Sequence, residues 1–232
     1  NFSSAKLDSA DFTKTDLSGA NFSNSKLFKT ILFQAKLLES IFIEADLMGA
    51  NLSSVDLTGS NLSFCSLIEA NLIDSNLTGV SFVGAKLTGR YTREGYYSRG
   101  ANLTRCILKG ADFSQADCHG ADIADADLRD SNLSNANLIE TDLKRVNLSG
   151  ANLTGANLSE SNLRKAILTG ANFKDVKLSE TKLTGVDLSQ VVNLCPKEVS
   201  LAIIDKKTKV PDSLEILWTS DDTFECKSVS LS

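Results

Sequence analysis

The sequence predicts an all-β solenoid in which the chain turns a corner every five residues. Leu or Phe occupies all 18 positions reached by counting in fives from Phe2 to Leu87, and 16 of the 18 positions from Leu103 to Leu188. The residue two positions before each of these centres is always small, with 18 Ala, 6 Ser, 5 Val, 4 Thr and 2 Cys at the 35 sites from 5 to 85 and from 101 to 186. A period of five fits neither an α-helix nor an alternating strand.

Four such corners close a square coil of about 20 residues, and stacked coils pair their backbones at about 4.8 Å, the ordinary spacing between strands. The large residues then fill the axis, while the small ones let the wall approach closely. Aromatic or leucine side chains recur at this spacing and are expected to stack along one face: Phe2, Phe22, Phe42, Leu62 and Phe82. Four repeats per coil are therefore expected.

The repeat unit also has a preferred polar residue just before each centre, where Asn or Asp stands 23 times in the same 35 units. The unit Ala151-Asn152-Leu153-Thr154-Gly155 shows the full pattern. It resembles the pentapeptide-repeat family, whose motif is A(D/N)LXX. The resemblance covers residues 1–190 and implies a right-handed quadrilateral β-helix.

The repeats are interrupted between Leu87 and Leu103, which are 16 residues apart rather than a multiple of five. We interpret the segment at about 89–100 as a loop that leaves the rod, and two degenerate repeats with one added residue are the alternative. Because Tyr and Arg commonly anchor interfaces, the segment is a candidate contact loop. A solvated excursion without a partner and contact with nucleic acid are the other interpretations. The candidate residues are Arg90, Tyr91, Arg93, Tyr96, Tyr97 and Arg99.

Composition changes after Gln190, and residues 191–232 are expected to form a C-terminal cap with one or two short helices. The segment 195–204 has Pro near its start and apolar residues on one helical face, and 211–218 is a candidate second turn. Cys195 and Cys226 lie in this region at a spacing that permits a disulfide. Reduced thiols would favour the cytoplasm, whereas a bond would favour a periplasmic, lumenal or secreted location.

The front of the chain already reads as repeats over residues 1–7, so the first coil is expected to present an open edge. This favours a chain cut from a longer protein, and stacking on another copy is the alternative. No stretch of 18 consecutive apolar residues is present, so no transmembrane helix is expected.

An apolar belt is predicted near the front of the rod. The residue after each centre should face solvent and is usually Ser or Thr, yet five successive sites there are apolar, and Ile31 and Ile41 are apolar just before their centres. Contiguous apolar surface usually marks an interface, so a protein partner or self-association is expected. Membrane contact and local packing without a partner are the alternatives. The belt comprises Phe28, Phe33, Leu38, Ile43 and Met48.

Charge and chemistry argue against other classes. The net charge is −5, which does not favour a nucleic-acid binder. Asp112, Asp117, Asp122 and Asp127 precede four successive centres, and the resemblance to family members that act on DNA gyrase implies a DNA-mimic role for such a belt. The simpler interpretation is that Asp is an ordinary residue at this site of the repeat. Three cysteines, Cys65, Cys106 and Cys118, are assigned to the core.

No pattern indicates catalysis, a metal or a cofactor, because no phosphate-binding loop, CxxC pair or His-carboxylate cluster appears. His119 follows Cys118 but should point outward where the cysteine points in. We therefore interpret the chain as a non-enzymatic structural and interaction module, a rigid rod that presents the belt and the loop to a protein partner. A DNA-mimic regulator or protector of a topoisomerase is the alternative.

Overall fold

The computed structural model describes residues 1–90, 98–220 and 223–229. Up to residue 190, the described part of the chain forms a right-handed quadrilateral β-helix, in which residues 20 positions apart make parallel β-bridges, such as Lys6 with Lys26 and Asp11 with Ile31. Four columns of bridges give the rod four faces. Face 1 is marked by Asn21, Ile41, Asn61 and Ser81, face 2 by Lys26, Asp46, Ser66 and Lys86, face 3 by Ile31, Asn51, Asn71 and Asn102, and face 4 by Lys36, Asp56, Asn76 and Ile107.

Each corner is a β-turn that begins at a centre residue. At the first corner, the backbone N–H of Ala5 donates to the carbonyl of Phe2 at 3.0 Å, and Ser4 between them has a φ of 59°. A positive φ at the third residue alone is the geometry of a type II turn. The side chain before the centre stabilises the turn: Asn51 Oδ1 accepts the backbone N–H of Ser53 at 3.1 Å. The preference for Asn or Asp therefore arises from turn chemistry.

The core is the axis of the rod, filled by the centre residues. The predicted ladder is confirmed, since the rings of Phe2 and Phe22 stack at 4.9 Å between centroids and those of Phe22 and Phe42 at 4.8 Å. From Phe22 to Leu188 every centre is buried. Each such side chain contributes about 1.5–3 kcal/mol relative to exposure, before the chain entropy is subtracted.

The small inward sites hold polar residues without leaving them unsatisfied. Thr30 Oγ1 donates to the carbonyl of Leu7 at 2.9 Å, and Cys65 Sγ donates to the carbonyl of Phe42 at 3.0 Å. Both acceptors lie in the preceding coil. Ser, Thr and Cys can therefore replace Ala there because each donates to a backbone carbonyl, either across the coils or within its own turn, as Ser25 Oγ does to the Phe22 carbonyl at 2.6 Å.

The bridge ladder continues across the interruption. Asn71 pairs with Asn102 and Lys86 with Asp117, 31 positions apart instead of 20, so each face regains its register after 11 added residues. Residues 91–97, which include Tyr91, Arg93, Tyr96 and Tyr97, lie outside the described part of the chain.

The tail contains a helix and a hairpin. Helix α1 is Pro196–Val199, strand β1 is Leu214–Trp218, and strand β2 is Phe224–Ser228, which pairs antiparallel with β1. The candidate second turn at 211–218 is confirmed only at its start, where the backbone N–H of Leu214 donates to the Pro211 carbonyl at 2.8 Å. A second helix is not formed, because 214–218 is extended and its burial alternates from residue to residue. The expected helix over 195–204 is shorter than predicted. Ile203 and Lys209 still bridge to Lys182 and Asp187 of the last coil.

The two ends of the rod differ in how far the core is covered. In the first coil the centres Phe2, Leu7, Phe12 and Leu17 are only partly buried. At the other end Ile216, Trp218 and Phe224 of the hairpin pack against the core. Within the ranges described, no helix has the length and apolar character needed to span a membrane.

Candidate functional site

The five predicted belt residues are spread around the rod. Phe28 and Met48 lie at the corner between faces 2 and 3, and Ile43 at the corner between faces 1 and 2. Phe33 and Leu38 lie at the two remaining corners. The expectation that these sites face solvent is only partly met, because all but Leu38 are half-buried. One partner surface could not contact all five at once.

The corner between faces 2 and 3 gathers apolar and charged groups. Phe28, Met48 and Ile68 follow one another there at 20-residue spacing, and each is half-buried. The ammonium of Lys29 lies 5.2 Å from the centre of the Phe28 ring, a distance that allows a cation–π contact.

The base of the insertion folds back onto this same corner. Arg90 Nε donates to Glu69 Oε1 at 3.0 Å, and Arg90 Nη1 lies 3.8 Å from Met48 Sδ. The pKa of Glu69 is lowered by the Ser98 hydroxyl, against the effect of burial, and further by Arg90. Arg90 and Ser98 close the base: the backbone N–H of Arg90 donates to Ser98 Oγ at 2.8 Å and that of Ser98 to the Arg90 carbonyl at 2.8 Å. The insertion and the front of the rod thus meet.

The corner between faces 1 and 2 carries an exposed ring that sequence reasoning missed. Phe64 is 59% exposed, more than any other large apolar side chain in the described residues. It occupies the positive-φ site of its turn, with a φ of 61°, and lies against Gly84 of the next coil. Ile43 and Val83 lie at the same corner, in the coils before and after Phe64, and both are half-buried. A Phe at a site that favours Gly or Asn, 20 residues before a Gly, was the signal available in the sequence.

Face 2 therefore has apolar side chains along both edges. Ile43 and Met48 flank Asp46, and Phe64 and Ile68 flank Ser66 one coil later. Lys86 follows on the face, beside the insertion. We call this region, from Ile43 to Arg90, the face 2 surface. It combines aromatic, aliphatic and charged groups on one side of a rigid wall.

Arg99 lies on the other side of the insertion, exposed at a groove of about 380 Å³. Three carboxylates share the lining with it, from Asp122, Glu140 and Asp142. His119 Nε2 lies 3.6 Å from Glu140 Oε1. The groove is polar, and none of its lining residues belongs to the apolar belt. Arg99 and the belt therefore do not form one surface.

Each of the four aspartates of the predicted acidic belt accepts a backbone hydrogen bond within its own turn. Asp112 Oδ1 accepts the backbone N–H of Ser114 at 2.9 Å, and the other three make the same contact two residues on. They bridge to Ser81, Lys86, Asn102 and Ile107, one on each face, so their carboxylates point in four directions. This arrangement is a ring around the rod and does not resemble the charged side of a nucleic acid.

The core cysteines have no environment that favours reactivity. Burial raises the pKa of Cys65 and of Cys106 to about 12, and raises that of Cys118 further, so all three are thiols at neutral pH. Among the described residues no group of three or more His, Cys, Asp or Glu side chains is arranged to hold a metal ion. Cys195 is exposed and Cys226 is buried, and both are free thiols.

Comparison with known proteins identifies the repeats. The family model described as pentapeptide repeats matches residues 1–32, 32–63, 56–89, 99–130, 131–170 and 151–190. No curated protein sequence matches the chain significantly.

Solved structures of repeat proteins are also similar. HetL, involved in heterocyst differentiation regulation in the cyanobacterium Nostoc, is 31% identical over 78% of this chain and 90% of its own, with a TM-score of 0.35. QnrB1, a plasmid-mediated fluoroquinolone resistance protein, is 22% identical over 88% and 93%, with a TM-score of 0.47. A pentapeptide repeat protein of the Arabidopsis thaliana thylakoid lumen is 25% identical over 72% and 70%, with a TM-score of 0.21.

Proposed function

Because this chain belongs to the pentapeptide-repeat family, we propose that it is a non-enzymatic interaction module whose face 2 surface binds a protein partner. The observation that carries the proposal is the placement of Phe64 and Met48 on opposite edges of one face, with Arg90 held beside Met48.

Rigidity suits this role. Successive coils are joined by backbone hydrogen bonds on every face, so the wall between the two apolar edges changes little when a partner docks. Binding then costs little ordering of the backbone, and exposed aromatic and arginine side chains supply the anchors. Phe64 is such an anchor, because its ring is exposed and already held against Gly84.

The charges on face 2 favour a protein over a nucleic acid. Lys26, Asp46 and Lys86 alternate in sign along the face, and Glu69 neutralises Arg90 at its edge. A phosphate backbone needs a continuous basic stripe, whereas a protein surface can match mixed signs.

Capture by variants with matched controls tests the proposal. The face 2 variant carries Met48→Gln and Phe64→Asn, since Asn tolerates a positive φ. The control carries Ile107→Asn and Ile167→Asn on face 4, where those side chains are 49% and 51% exposed. Immobilised wild type and control should retain the same protein from an extract of the source cells, and the face 2 variant should lose it. Retention by all three proteins, with unchanged melting curves, would refute this assignment.

Self-association is tested on the same set. Light scattering of the purified chain over a range of concentrations shows whether the partner is a second copy. In that case the wild-type and control masses rise together, and the face 2 variant stays monomeric. A dimer that persists in the face 2 variant would place the contact elsewhere.

A further inference from the structure

Two cysteines of the tail lie on the two sides of the contact between helix α1 and strand β2. Cys195 is exposed and directly precedes helix α1, and the backbone N–H groups of Glu198 and Val199 donate to its carbonyl. Cys226 is the central residue of strand β2 and is buried. The two stand 31 positions apart in the chain.

Strand β2 is docked onto helix α1 at Cys226. Its backbone N–H donates to Ser200 Oγ, at the end of the helix, at 3.1 Å. Its side chain belongs to an apolar cluster with Val199 and Leu214, and Leu194 packs against this cluster. Leu194, just before Cys195, and Val199, just after it in helix α1, therefore both belong to the packing around Cys226. The pKa of Cys226 is raised by burial and then by the neighbouring Cys195.

We propose that Cys195 and Cys226 form a reversible disulfide that locks the hairpin of β1 and β2 onto the last coil. The oxidant is a small-molecule disulfide of the glutathione class. The Cys195 thiolate, after giving its proton to solvent, attacks one sulfur of that disulfide and releases one thiolate. The Cys226 thiolate then attacks Cys195 Sγ and releases the second. Two protein thiols are oxidised, one small disulfide is reduced to two thiols, and the two protons balance.

The bond would act on the least secure part of the cap. A two-stranded hairpin is marginally stable alone, and this one depends on Ile216, Trp218 and Phe224 packing against the core. A crosslink from the exit of the last coil to β2 removes the states in which the hairpin swings away while α1 stays in place. In an oxidising compartment the hairpin is then held by a covalent bond, whereas in a reducing compartment only non-covalent packing holds it.

Thiol counting in the full chain tests the proposal. The protein is treated with oxidised glutathione, unfolded and alkylated. Of five cysteines, three should be alkylated, and peptide mapping should join the peptides that contain Cys195 and Cys226. Dithiothreitol should restore five. A glutathione adduct on Cys195 with Cys226 still alkylated, or a bond between two chains, would overturn it.

Unfolding of the cap gives an independent measurement. Trp218 is the single tryptophan and lies in β1, so its fluorescence reports on the hairpin. The urea midpoint of this signal should rise on oxidation of the wild type and stay unchanged in Cys195→Ser, whose exposed site leaves folding intact. In Cys65→Ser the rise should persist. An unchanged wild-type midpoint would show that the bond does not secure the cap.

Discussion

The ring of Phe64 lies so close over Gly84 that a Cβ on Gly84 would come within 2.7 Å of two ring carbons. Gly84 also has a φ of +62°, a conformation that side chains disfavour by about 1–2 kcal/mol. Phe64, the most exposed large apolar side chain of the described rod, can therefore lie in this position only because Gly84, one coil away, has no side chain. Corner residues are set by their neighbours in the next coil as well as by their own turn.

Replacing Gly84 should therefore separate backbone strain from crowding. We expect Gly84→Ala to cost more than Gly79→Ala, which has a similar φ of +66° and open space around the added Cβ. The excess should vanish when Phe64→Asn is present, because the ring is then gone. Urea denaturation measures this by comparing Gly84→Ala with Gly79→Ala, first in the wild-type background and then in the Phe64→Asn background. Equal costs for both alanines in the wild-type background would show that the ring moves aside freely.

The ion pair between the last coil and the tail should make stability depend on pH. Lys209 Nζ lies 2.8 Å from Asp187 Oδ2, and Lys209, followed by hydrogen bonds from Ser189, lowers the pKa of Asp187 to about 2. A carboxylate with a lowered pKa stabilises the fold above its ordinary pKa of 3.8 and loses that contribution as the pH falls towards about 2.

Asp187→Asn keeps an acceptor for the turn and removes the charge. Both partners are more than half exposed and therefore screened by solvent, so we expect a loss of about 0.2–1 kcal/mol at neutral pH. The loss should disappear in strong acid. Lys209→Gln should cost a similar amount, and the double variant little more. A difference that stays constant down to pH 2 would exclude the ion pair as its cause.

The buried cysteines should respond differently to serine according to their site. At Cys65 a hydroxyl can replace the thiol, because Ser75 Oγ already donates to the Leu52 carbonyl at 2.8 Å in an equivalent small site. We expect Cys65→Ser to cost less than about 1 kcal/mol. Cys118 occupies a large centre site, where a hydroxyl leaves space and needs a partner, so Cys118→Ser should cost about 1–3 kcal/mol. Chemical denaturation compares them, and equal costs would contradict this division.

Aromatic stacking should add to burial at the front of the rod. Phe42 stacks on Phe22, whereas Phe173 follows Leu153 on the same face, and both rings are fully buried. Phe42→Leu should cost about 0.5–1.5 kcal/mol more than Phe173→Leu, which loses area alone. Urea midpoints with unchanged slopes would measure the difference. A larger cost for Phe173→Leu would mean that packing volume outweighs stacking.

The period of five predicted the faces and the core because every coil repeats the same hydrogen bonds. It did not reveal Phe64, since exposure at a corner depends on the residue 20 positions later, here Gly84. The period also predicts Phe28 and Met48 as free in solvent, whereas both are half-buried. In the tail, the segment from Leu214 to Trp218 is short and apolar, and only its pairing with β2 distinguishes a strand from a helix.

The return of every face to register after 31 positions has a consequence for how such rods diversify. A corner can be opened and closed again without disturbing the coils above and below it, so new sequence enters at a cost that grows only with the logarithm of its length. The position between Gly89 and Ala101 is therefore an insertion site, at which a foreign peptide could be displayed without changing the length of the rod.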